Sequence, residues 1–139
     1  TNISYSFDGS KVTGSYGDAT ARAHADTLYT DEDKSKDEIP AGKDVGDVKV
    51  EGLKTILIRQ VKNQAEGELN KTDWYITRKS EKDTAIPSSI TTHRDAVRAK
   101  QAEMETAITN ASDTPALETL YTRDENSERP LGDLPTLED

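Results

Sequence analysis

The chain has 139 residues, with 27 Asp or Glu against 18 Lys or Arg and a formal net charge of -9. Nine Leu, eight Ile, six Val and one Phe leave material for one modest core, a composition close to that of chains that stay disordered alone, so neighbouring subunits are expected to hold it. The lack of cysteine excludes disulfides and thiolate metal sites, and no apolar run approaches the ~18 residues of a membrane span, so a soluble chain with no membrane partner is expected.

The first sixteen residues read as a β-hairpin. Ile3, Tyr5 and Phe7 alternate with serines, Asp8-Gly9 supplies a two-residue turn, and that turn sets Val12 opposite Tyr5. Alanine-rich Asp18 to Tyr29 predicts a short helix with Asp18 as its N-cap. A charged loop follows, in which Asp31, Asp33, Ser35 and Asp37 have the spacing of a calcium loop. Lys36 stands where that loop needs glycine and Gly42 where it needs glutamate, so no metal is expected. Gly46 to Val50 predicts one short strand.

From Glu51 to about Asn70 the period changes. Leu53, Leu57, Val61, Ala65 and Leu69 recur every four residues, the stripe of an amphipathic helix. A second helix is predicted from Ser89 to Asn110, with Ile90, Val97, Met104 and Ile108 on one face and the Ser88-Ser89 hydroxyls at its start. A third fits Thr114 to Tyr121, with Thr114 as N-cap and Pro115 in the first turn. The whole predicts an α+β fold in three regions: a hairpin, short helix and acidic loop over 1–50, a helical-hairpin module over 51–122, and an extended acidic arm over 123–139.

Between the two long helices lies a connection of about 18 residues, and so long a link needs pinning. The only tryptophan, Trp74, is expected to plug the open end of the helix pair against Leu57, Val61, Val97 and Met104, with Tyr75 and Ile76 beside it and Arg78 to Asp83 in water. A second reading makes Trp74 an anchor for a partner. Asp73 and Thr72 suit a cap or turn, and Glu81 is expected to pair with Arg94 on the second helix. In the arm, Leu131, Leu134 and Leu137 lie three apart, which would align them on one edge of a polyproline-like segment for docking on an adjacent subunit.

Charge by segment is -4 over 1–50, +1 over 51–110 and -6 over 111–139. Phosphate backbones would repel the two acidic regions, so no nucleic-acid partner is expected. His24 and His93 are the only histidines, both read as helix residues, and no nucleophile elbow, zinc-protease or phosphate-loop motif is present. No catalytic residue, cofactor or small-molecule substrate is expected.

The stretch L-x-x-T-D-W-Y-I-T-R-K-x-E-x-x-x-x-I-P-x-x-I-x-x-x-R, Leu69 to Arg94, resembles a pattern in small proteins and terminal domains of tailed bacteriophages, of the tail-fibre assembly or virion-associated type. The shared positions are Thr72, Asp73, Trp74, Arg78, Glu81, Ile86, Pro87 and Arg94, and the resemblance covers about Leu53 to Tyr121. It implies a non-enzymatic structural or interaction protein of the virion, tail or fibre-associated, made in the host cytoplasm and bound to other phage structural proteins in a homo- or hetero-oligomeric assembly. An assembly chaperone absent from the mature particle is the alternative it implies, and a small enzyme or inhibitor is a third reading, from outside the resemblance.

Overall fold

The computed structural model describes residues 3–7, 12–16 and 21–137. The fold is α+β: two two-stranded antiparallel sheets precede a group of helices. Strands β1 (Ile3–Phe7) and β2 (Val12–Tyr16) form the first sheet. Phe7, not Tyr5, faces Val12, so the pairing leaves four residues between strands where the Asp8-Gly9 turn required two. Those residues, like Asp18 of the expected helix, lie outside the described residues.

The helix expected up to Tyr29 is absent from Ala21 onward, and Thr27–Leu28 instead forms strand β3. Alanine propensity is a weak preference, and tertiary bonds override it here. The carbonyls of Ala23 and His24 accept from Leu53 and Lys54 N–H at 2.9 and 3.0 Å, and the Asp26 carboxylate accepts from Gly52 N–H at 2.6 Å. These are orphan donors of the next long helix, whose N-cap Gly52 has no side chain to offer them. A Cβ on Gly52 would lie 2.3 Å from the Ala25 carbonyl carbon, so only glycine admits this approach.

β3 pairs with β4 (Val48–Val50), as the sequence predicts for that strand, and between them the charged loop contains one short helix, α1 (Asp31–Ser35). Thr30 and Asp33 form a capping box at its start, a T-x-x-D signal readable in the sequence. Asp33 is buried and also takes Lys49 of β4, whose ammonium stands 5.7 Å from the Tyr29 ring centre.

Helices α2 (Leu53–Asn70), α4 (Ser88–Asn110) and α5 (Thr114–Tyr121) lie where periodicity puts them. Two caps differ by a residue or more. Asp113, not Thr114, caps α5 by accepting from Ala116 N–H at 2.8 Å, and α4 starts from the Pro87 carbonyl without a serine cap. α2 and α4 pack along their length over Val61, Met104 and Ile108, and α5 closes the core with Leu117. The link between α2 and α4 is not a pinned loop but a further helix, α3 (Asp73–Lys82), ended by Asp83 in the left-handed region at φ 53°.

Residues 123–137 do not project as an arm. Leu131 is 2 % exposed within the core, its N–H donates to the Leu120 carbonyl at 3.0 Å, and Leu134 packs at the core's edge. Arg123 grips Asp133 through two bonds of 3.0 and 2.8 Å, and Arg129 adds a third at 2.8 Å while lying 5.1 Å from the Tyr121 ring. The core therefore crosses the expected boundary at residue 122. The leucines expected to dock on an adjacent subunit turn inward instead: Leu131 is buried and Leu134 and Leu137 are half-buried, while Asp133 and Thr136 are exposed, with Gly132 at φ 70° after Leu131.

Candidate functional site

The residues singled out by the sequence meet at the α2–α3 corner. α2 ends with the Leu69 carbonyl free of helical partners, and three donors converge on it: Thr72 N–H at 3.1 Å, Thr72 Oγ1 at 2.9 Å and Arg94 Nη1 at 2.8 Å. The same Arg94 nitrogen reaches Thr72 Oγ1 at 2.7 Å and Asp73 Oδ1 at 2.8 Å. Thr72 and Arg94 are buried, whereas Asp73 is half exposed. One guanidinium from α4 thus fixes both the end of α2 and the start of α3.

Arg94 does not pair with Glu81. Glu81 sits in the last turn of α3, exposed and without an ion pair among the described residues, because a helical α3 carries it away from the corner while Asp73 falls beside Arg94. The shared pattern therefore contains one hydrogen-bonded cluster, buried Thr72 and Arg94 with half-exposed Asp73, which the sequence did not group.

Trp74 is not a plug. It is 51 % exposed, and Ile76 is exposed too, while the positions expected beneath the ring are filled by the α2–α4 contact itself. Trp74 instead packs on half-buried Tyr75, with ring centres 3.8 Å apart and planes inclined by 31°. Arg78, one turn on, lies over both rings at 4.8 and 5.3 Å. The result is an aromatic pair capped by a cation, worth about 0.5–1 kcal/mol per exposed cation–π contact. The helix was legible in its charges: Asp73 lies in the first turn and Lys79 and Lys82 in the last, as the helix dipole favours.

The two histidines stand apart. The His24 backbone bonds the start of α2, whereas His93 adjoins Arg94 at its other end. Among the described residues no group of three or more metal-capable side chains comes together, and no helix is long and apolar enough to cross a membrane. Comparison with protein-family models, with curated proteins and with solved structures finds no match to this chain.

Proposed function

We propose that the chain is a non-enzymatic interaction protein of a bacteriophage particle, tail or fibre-associated, and that Trp74 is its anchor on a neighbouring phage subunit. The observation that carries this reading is a tryptophan 51 % exposed on a helix whose base is locked by buried Arg94. Exposing a large ring on a rigid mount forgoes its burial on folding, and a docking partner restores that burial at little further cost in ordering. The assignment to a phage particle is supported by the likeness of Leu69 to Arg94 to the tail-fibre assembly pattern, three of whose positions form the locking cluster.

The test is Trp74→Ala. The variant loses the ring pair and one cation–π contact, about 1–2 kcal/mol, less than the ~3–5 kcal/mol of a buried tryptophan, so it folds. Its incorporation into particles, read by proteomics of purified virions, is expected to fall sharply. Normal incorporation removes Trp74 as the anchor, and absence of the wild-type protein from mature virions favours the chaperone role.

A further inference from the structure

Apart from Trp74 and Ile76, the large apolar side chains most exposed to water between residues 21 and 137 all belong to the unit built from β3, α1 and β4. Leu28, Val45, Val48 and Val50 are 45, 39, 38 and 47 % exposed. Leu28 and Val48 are cross-strand partners and so share a face, Val50 stands opposite Thr27 across a register shift between Thr27 and Leu28, and Val45 lies in the turn that feeds β4. An antiparallel sheet with one solvated face ordinarily places polar residues there. Here the only polar residue of β4, Lys49, is drawn to Asp33 and Tyr29, and the valines on either side have no such cover.

The strand edge is equally uncovered. The sheet has two strands, so among the described residues nothing pairs with the outer side of β4. Exposed edges are usually blunted by an outward lysine or a proline, and β4 has neither to spare. Residues 27–50 carry seven Asp or Glu against four Lys, and Lys36 and Lys49 are already committed to Glu32 and Asp33. A bare edge, an aliphatic face and an acidic surround occur together.

We propose that β4 accepts an extended segment of another protein as a third strand, a segment in which apolar residues alternate with basic ones. Backbone bonds along the β4 edge supply affinity, the apolar residues cover Leu28, Val48 and Val50, and the basic ones meet Asp44, Asp47 and their neighbours. A second copy of this chain fits less well, since it would bring the same net negative charge against itself. This surface is independent of Trp74: it adjoins the N-terminus of α2, and Trp74 follows the C-terminus.

Isotope-labelled full-length protein titrated with a synthetic peptide of alternating valine and lysine tests the idea by amide chemical shifts. Saturable shifts confined to Leu28 and Val48 to Val50, weakening as salt rises, are expected, with none from a valine–glutamate peptide of equal length. The double variant Leu28→Ser, Val50→Thr should weaken binding about tenfold or more while the amides of α2 and α4 keep their positions, since both side chains are exposed. Three results overturn the proposal: no saturable shifts; shifts spread over acidic residues of the whole chain; or concentration-dependent shifts at β4 without peptide, which would make a second copy the occupant.

Discussion

At the scale of single residues, stability rests on a few polar groups that take part in more bonds than their number suggests. Arg94 is the first. Replacing it with alanine leaves the Thr72 hydroxyl and the Leu69 carbonyl with fewer partners, and each buried polar group left short costs about 1–3 kcal/mol. Arg94→Ala is thus expected to lower the unfolding free energy read from urea denaturation by at least that amount, and Arg94→Met, which keeps the volume but no donor, to lose nearly as much. Retention of stability by the methionine variant would show that packing is what matters there. Asp26 is the second. Its bonds from Thr55 and from Gly52 N–H, with Arg59 nearby, hold its carboxyl below the ordinary range. A lowered folded-state value means stability that is fully present above the unfolded value of about 3.9 and lost as pH falls through the folded one. Asp26→Asn should accordingly melt below wild type at neutral pH, with the gap narrowing in acid; a gap constant from pH 7 down to about 2 would remove Asp26 as a charge-dependent latch. None of these partners could be read from the sequence, because both pairings span more than twenty residues of chain.

Elements were legible where one face had to be apolar. α2, α4 and α5 follow from their spacing of Leu, Val, Ile and Met, since burial of a stripe and helix geometry select the same residues. α3 and the segment before β3 were misread for opposite reasons. α3 buries no residue fully and so lacks a stripe, while Ala21 to Asp26 has helical composition but spends its carbonyls on capping α2. The two glycines of this region make the contrast measurable. Gly67 lies inside α2 with open space around its missing Cβ, so Gly67→Ala should stabilise by about 0.5–1 kcal/mol. Gly52→Ala forces the Ala25 backbone away and costs a cap, about 0.5–2 kcal/mol. Thermal midpoints shifting in opposite directions are the expected result, and two shifts of the same sign would contradict the close approach at Gly52.

For the whole molecule, the thin core is closed by its last strap of chain. Leu131 has the burial of Val61 and Met104, so Leu131→Ala should cost about 2–5 kcal/mol, whereas Leu137→Ala, half-buried beyond the core, should cost less; equal thermal midpoints for the two variants would place Leu131 outside the core. The sequence made 123–139 look separable because its prolines, glycine and acids are those of a free arm. What it hid is that Leu131 joins the core residues of α2, α4 and α5, and that Arg123 and Arg129 hold Asp133 two residues further on. The first half of the chain is built differently. Between residues 21 and 52 none belongs to the apolar core, and the β3–β4 unit is held to α2 through hydrogen bonds of Ala23, His24 and Asp26 and of Arg22 to the Glu51 carbonyl. Such a junction is held chiefly by polar bonds near the surface, the kind of contact that opens locally before a packed core does. The β3–β4 unit is therefore expected to open at a lower free energy than the helical body, and hydrogen exchange at Leu28 and Val48 to Val50 faster than at the core positions of α2 and α4 is the measurement that checks it.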